Sequence, residues 1–190
     1  FFSGSKAVPG VYQVQLHLNG ETLSEDFKIL PNPLAEATVA QMQEQFDFVN
    51  GVNQTIDKAH QAIKKIRTVN KKLKEFQSNF AEDESAKELR EQAKKLTTAL
   101  SAVEKALYQT QNRSNQDPLN FPIRLTNKLG HINNLVLIND FPPTAQDKIV
   151  RDELTKAIEE QLVTYTSLME KEVTAFNKAF KEKELNYLVQ

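Results

Sequence analysis

Alternating apolar and polar residues mark the first 33 residues as a β-hairpin. Between Tyr12 and Leu18 every second side chain is apolar, as in a strand with one buried face. Asn19-Gly20 follows, and both residue types tolerate the positive φ angles of a type I′ turn. A second run of strand-forming residues extends from Thr22 to Leu30 and ends at Pro31-Asn32-Pro33, because proline cannot donate to the ladder. The pattern therefore predicts two antiparallel strands.

After this hairpin the apolar period changes from two residues to three and four, which indicates amphipathic helices. Thr38, Ser85 and Thr144 each begin a predicted capping box at a helix start. The first helix is predicted to carry a long apolar stripe, and the second a strict heptad repeat. The heptad positions are Leu89, Ala93, Leu96, Leu100, Val103 and Leu107. A shorter helix is predicted to open at Phe121-Pro122, with the proline in its first turn.

The last predicted helix is long and runs from about Thr144 to Glu184. Its expected apolar positions are Ile149, Leu154, Ile158, Leu162, Tyr165, Leu168, Phe176 and Phe180. Short connections favour antiparallel neighbours, so we expect a mainly α fold. Specifically, the sequence predicts an antiparallel up-down bundle of about four helices, two of them long, with an N-terminal β-hairpin. We place the domain boundary between a hairpin at 1–33 and a helical bundle at 34–190.

Two strands alone are marginal in water, so the hairpin needs further packing. It either leans on the helices or belongs to a sheet whose other strands precede residue 1. We favour the second interpretation, in which 1–33 is the end of an upstream immunoglobulin-like sandwich. The first residues, Phe1-Phe2, lack an initiator methionine, which also favours a piece of a longer product.

Composition excludes several classes of function. The formal net charge is −1, so no overall field attracts nucleic acid or an anionic membrane. The absence of cysteine excludes disulfides and thiolate chemistry. No apolar run reaches the roughly 20 residues that cross a bilayer, so membrane insertion is not expected. A basic run from Lys58 to Lys74 resembles an anion-binding stripe, but it lacks interleaved aromatic residues, and we interpret it as a solvated helix face.

No catalytic motif is visible either. His17, His60 and His131 have no carboxylate at ligand spacing, so neither a metal nor another cofactor is predicted. The carboxylates of the last helix fit its solvated face better than a converging acid and base pair. These carboxylates are Glu159, Glu160, Glu170 and Glu172.

One polar turn, between the second and third helices, is the best candidate for a special site. Its residues are Gln109, Asp117, Asn120, Arg124 and Asn127. In a structural interpretation Asp117 and Asn120 cap the third helix and Arg124 binds helix-end carbonyls. In the functional interpretation the five residues form a small polar pocket for a loop of the parent protein or a ligand.

The segment Tyr108-Gln109-Thr110, Ser114 and residues 116–129 suggest a family. They resemble the C-terminal helical region of exported proteins built on a sortilin-like, Asp-box (BNR-repeat) β-propeller, often labelled glycosyl hydrolases. Residues 9–20 are similar to the strands that precede that region. The resemblance implies a secreted or periplasmic accessory module with its propeller upstream. The chain has no Asp-box pattern and no tryptophan, so no catalytic residue is carried over.

Two functions remain open. We expect a non-catalytic C-terminal scaffold or interaction module, whose partners are the upstream domains of the same polypeptide or further copies of the chain. The alternative is one wall of a composite glycosidase-like active site whose catalytic residues lie upstream. In both cases the chain alone is expected not to be an enzyme.

Overall fold

The chain is a mainly α-helical bundle with an N-terminal antiparallel β-hairpin, as predicted. A computed structural model describes residues 4–114 and 116–183. Its strands and helices, in chain order, are β1 Gly10–Leu18, β2 Glu21–Ile29, α1 Val39–Asn79, α2 Lys87–Leu107, α3 Leu125–Val136, α4 Ala145–Ser167, a π-helical segment Leu168–Val173 and α5 Thr174–Glu182. Short 3₁₀ turns occupy Glu84–Ala86 and Asp117–Leu119.

The hairpin has the register that its sequence predicts. Gly10 pairs with Ile29 at one end and Leu18 pairs with Glu21 at the other, so the loop has two residues. Asn19 has a φ of 51° and Gly20 a φ of 85°, as a type I′ turn requires. Local backbone preference therefore fixes the register of the whole pair.

Two compact units make up the chain. The first contains the residues up to Gln54 together with 130–152, and the second contains 55–129 and the residues from Glu153 onward. The predicted domain boundary between residues 33 and 34 stays a prediction.

In the first unit, the start of α1, the end of α3 and the start of α4 enclose a small core. Its buried apolar side chains include Phe48, Val49, Val52, Ile132 and Val136. Thr38 caps α1 as predicted, because its hydroxyl accepts from the Gln41 amide at 3.3 Å while the Gln41 side chain accepts from the Thr38 amide at 2.9 Å. The same reciprocal pattern joins Thr144 and Asp147 at the start of α4.

In the second unit, α1 and α2 run antiparallel. Asn70 of α1 donates to the Ser101 hydroxyl of α2 at 3.1 Å, and about one turn earlier in α1 the Arg67 side chain donates to Glu104 at 2.6 Å. All six heptad positions of α2 are buried, which confirms the predicted stripe. On α5, Phe176 packs edge-on against Phe76 of α1 with ring centroids 5.4 Å apart.

Two predicted helix starts are wrong. Ser85 does not cap α2, because its amide and its hydroxyl both donate to the Asp83 carboxylate, at 2.8 and 2.6 Å. These two bonds belong to a 3₁₀ turn in which Asp83 is the N-cap, and α2 then begins at Lys87 without a side-chain cap. The third helix begins at Leu125 instead of Phe121-Pro122.

The apolar stripe of the last helix is only partly covered. Ile158 and Phe176 are buried, whereas Ile149 is exposed and Leu162, Tyr165 and Leu168 are half-buried. The predicted end of this helix at Glu184 lies outside the described residues. A π-helical segment interrupts the regular period between α4 and α5, so the stripe does not keep one orientation.

Candidate functional site

One face of the hairpin presents an uncovered apolar surface, which we call the hairpin face. Its side chains are exposed by 36% at Tyr12 to 67% at Leu23. The apolar members of the hairpin face are Tyr12, Val14, Leu16, Leu18, Leu23 and Phe27, and Glu25 and Glu21, the partners of Val14 and Leu18, lie on the same face. Leu16 and Leu23 are cross-strand partners, and the Tyr12 and Phe27 rings lie 5.9 Å apart. These apolar residues are therefore neighbours on one surface and not scattered exposures.

Within the part of the chain that the structure describes, the apolar side chains of the hairpin face are exposed to solvent, so no helix covers them. The base of the hairpin, around Ile29 and Leu30, meets the start of α1 near Met42. The Tyr12 hydroxyl donates to the Val8 carbonyl at 2.7 Å, which holds the incoming chain against β1. The helices therefore leave the hairpin face open among the described residues, and the choice between the two interpretations of the hairpin stays a prediction.

In the predicted polar turn, the Gln109 side chain is buried and links two parts of the turn through hydrogen bonds. Its amide nitrogen donates to the Pro122 carbonyl at 2.8 Å, and its amide oxygen accepts from the Gln111 backbone at 3.1 Å. Thr126 is also buried, and its hydroxyl donates to the Leu107 carbonyl at 2.9 Å. No pattern in the sequence singles out Thr126, because a threonine on a predicted helix face usually lies in solvent.

Asp117 organises the loop before the third helix. Its carboxylate accepts from the backbone of Arg113 and from both the backbone and the hydroxyl of Ser114, the last two at 2.9 and 2.8 Å. The bond from the Arg113 amide, followed by those from Ser114, lowers the pKa of this carboxyl below its usual value. Asp117 therefore stabilises its own loop. It does not cap α3, although the structural interpretation predicted that it would.

Asn120, Arg124 and Asn127 do not join this arrangement. Asn120 contributes its backbone amide to the Asp117 carbonyl at 2.9 Å, and Arg124 contributes its carbonyl to the first turn of α3. The Arg124 side chain is exposed, and the prediction that it binds helix-end carbonyls stays a prediction. Among the described residues, no side-chain hydrogen bond joins any two of the five predicted residues, and their role as a docking pocket stays a prediction.

The histidines and carboxylates that were considered as candidate site residues do not form one cluster among the described residues. The His17 ring bonds the Thr22 hydroxyl at 2.9 Å on the polar side of the hairpin, and His131 is exposed. The four carboxylates of the last helix are exposed, as expected of a solvated face. Among the described residues, no cluster of three histidine or acidic side chains is arranged to hold a metal ion. Within the same residues, no helix combines the length and the apolarity needed to cross a bilayer.

Comparison of the chain with protein-family models, with curated proteins and with solved structures finds no match.

Proposed function

We propose that this chain is a non-catalytic scaffold or interaction module whose hairpin packs against a β-sheet elsewhere in the same polypeptide. The hairpin face is the observation that carries the proposal. Two paired strands of nine residues extend over about 30 Å at roughly 3.3 Å per residue. A hairpin of this length with one apolar face requires a partner to be stable.

The size of the hairpin face favours a partner in the same polypeptide. Two strands about 4.8 Å apart and about 30 Å long offer roughly 300 Å² for packing. Two separate copies joined through this face would bury about 600 Å², well below the roughly 1,200–2,000 Å² of a stable interface between proteins. A tethered sheet avoids most of the cost of association, because its effective concentration is on the order of millimolar.

The polarity of the two hairpin faces agrees with this arrangement. Opposite the hairpin face lie Gln13, Gln15 and His17, paired with Asp26, Ser24 and Thr22, and the pair Val11 and Lys28. One mostly apolar and one mostly polar face is the pattern of an outer sheet in a two-sheet sandwich. The resemblance of residues 9–20 and 116–129 to exported sortilin-like propeller proteins extends the proposal to a secreted or periplasmic parent.

The proposal is tested with the paired substitution Leu16→Thr and Leu23→Thr, made in this chain and in a longer polypeptide that includes the residues encoded ahead of Phe1. Threonine keeps the preference for strands but removes apolar area. In the chain alone the substitution should change the free energy of unfolding by under about 0.5 kcal/mol, as at an exposed site. In the longer polypeptide it should cost about 2 kcal/mol or more, because both leucines are then buried.

Gln15→Thr on the polar face is the matched control and should be neutral in both proteins. Equal effects of the leucine pair in the two proteins would refute the proposal, as would a reading frame without strand-forming sequence ahead of Phe1. Hydrolysis of any member of a panel of glycosides by this chain alone would also refute it.

A further inference from the structure

A cavity of about 450 Å³ lies beside α1 where the end of α2 approaches it, in the second unit. Its lining residues are Asp57, His60, Gln61, Ile63, Lys64, Arg67 and Tyr108. All but Tyr108 come from α1, and they lie on one side of it because residues three and four apart are neighbours on a helix. The cavity falls in the size range of small-ligand sites.

Arg67 is held in place by two contacts. Its Nε atom donates to the Glu104 carboxylate at 2.6 Å, and that side chain is only 12% exposed. Its guanidinium carbon lies 5.6 Å from the centre of the Tyr108 ring, within the range of a cation–π contact. The two terminal nitrogens of the guanidinium have no protein partner among the described residues, so they are available to a ligand.

Tyr108 supplies the aromatic group that the basic run from Lys58 to Lys74 lacks. It lies 41 positions after Arg67 in the sequence, and only the antiparallel packing of α1 and α2 brings the two together. The His60 ring meets the Tyr108 ring edge-on, with centroids 6.2 Å apart. Ile63 is buried and adds an apolar surface to the lining.

We propose that this cavity binds a small organic oxyanion, a phosphate or carboxylate group carried on an apolar ring. The oxyanion is assigned to the end formed by Lys64 and Arg67, because a guanidinium and an ammonium are the side chains that bind such groups. Asp57 lines the cavity too, and its carboxylate would repel an oxyanion placed beside it. The ring of the ligand packs against Tyr108 and Ile63.

Phenyl phosphate is the first probe, with inorganic phosphate and phenol as the two halves of the same molecule. Titration by calorimetry and by amide chemical shifts should give saturable binding of phenyl phosphate with a dissociation constant on the order of 1 mM. Each half alone should bind at least about tenfold more weakly, since it loses one of the two sets of contacts. Benzoate shows whether the site prefers carboxylate or phosphate, and saturable binding of either supports the proposal.

Lys64→Gln and Lys65→Gln form a matched pair of variants. Both remove one positive charge from neighbouring positions of α1, but only Lys64 lines the cavity. Lys64→Gln should weaken phenyl phosphate binding by about fivefold or more, whereas Lys65→Gln should change it less than about twofold, because exposed distant charges are screened. Tyr108→Leu should weaken phenyl phosphate but leave the weak binding of inorganic phosphate unchanged.

Arg67→Gln should abolish binding, and Arg67→Lys tests the same group while keeping its charge near Glu104. Lysine has one ammonium group and lacks the planar set of N–H donors of the guanidinium, so Arg67→Lys should still weaken binding by about tenfold. Absence of saturable phenyl phosphate and benzoate binding would overturn the proposal. Inorganic phosphate binding as tightly as phenyl phosphate, or equal effects of Lys64→Gln and Lys65→Gln, would overturn it as well.

Discussion

Gln45 offers the sharpest test of how the first unit is held together. It lies on α1 among apolar residues and is only 3% exposed. Its amide nitrogen donates to the carbonyls of Val136, Asn139 and Phe141 at 3.0, 2.9 and 2.8 Å. One side chain thereby binds the end of α3 and the connection to α4. We expect Gln45→Met, which keeps the length of the side chain but removes its donors, to destabilise the protein.

The expected magnitude follows from these three contacts. An amide nitrogen carries two hydrogens, so the three carbonyls share two donors, worth about 1 kcal/mol each. Val136 is the last residue of α3, so its carbonyl has no acceptor role within the helix, and the residue is buried from water. Leaving that carbonyl unpaired costs a further ~1–3 kcal/mol, whereas Asn139 and Phe141 are exposed enough for water to replace the amide. The sum is a loss of about 3–5 kcal/mol.

Urea unfolding followed by circular dichroism measures this loss, with thermal unfolding as a second readout. Gln43→Met is the matched control, because Gln43 is exposed on the same turns of α1 and its side chain donates to the exposed Asp47. The control should stay within about 0.5 kcal/mol of the parent. Gln45→Glu should be more damaging at pH 7 than at pH 4, since a carboxylate would face carbonyl oxygens and cannot donate. Equal stability of Gln45→Met and Gln43→Met would refute the reasoning.

Three further predictions concern the hairpin turn at Gly20, the Thr126 hydroxyl and the His60 ring that lines the cavity. Gly20→Val should destabilise the hairpin by about 1–3 kcal/mol, because a β-branched residue is strained at a φ of 85°, and faster hydrogen exchange of the strand amides would reveal it. Thr126→Val removes the bond to the Leu107 carbonyl and should cost about 1–2 kcal/mol in urea unfolding, and an unchanged midpoint would contradict that role. Burial lowers the pKa of His60, against the opposing effect of Asp57, so the unfolded chain takes up the proton first as pH falls. Stability should therefore decline as pH falls below about 6.5, and His60→Gln should remove this part of the decline in urea midpoints between about pH 7.5 and 5.5.

Local patterns predicted the elements of this fold well. The two-residue turn at Asn19-Gly20 needs positive φ angles that few other residue pairs accept, so the hairpin and its register follow from the sequence. The heptad of α2 is buried at every position because a regular stripe has only one way to face a core. Such features depend on neighbours in sequence, and the physical preferences of single residues are enough to indicate them.

Helix starts were harder because several polar residues compete for the same backbone groups. Asp83 takes the Ser85 amide and hydroxyl, and this turned a predicted cap into a 3₁₀ turn. Asp117 likewise binds backwards to Arg113 and Ser114 instead of forwards to α3. Each carboxylate has several donors within reach, and the sequence does not say which one it binds.

Individual side-chain contacts between distant segments could not be predicted. Gln45 is one of many glutamines in the chain, and its partners follow it by 91 residues or more. The cavity beside α1 depends on Tyr108 in the same way, because the basic run gave no sign of an aromatic neighbour. A polar residue within an apolar stripe is a signal in retrospect, but solvated polar residues are far more frequent at such positions.

The hairpin face shows the limit of what a periodic pattern implies. Alternation in β1 and the heptad in α2 both indicate a side of the element that leaves water, yet only the α2 residues are buried. A pattern states that a surface favours burial and does not name the surface that covers it. The two strands of the hairpin are paired along their whole length, yet the apolar face stays open, and this is the feature on which the proposed packing against a further sheet depends. An open apolar face on an otherwise complete hairpin is therefore more informative about interaction than any polar residue of the chain.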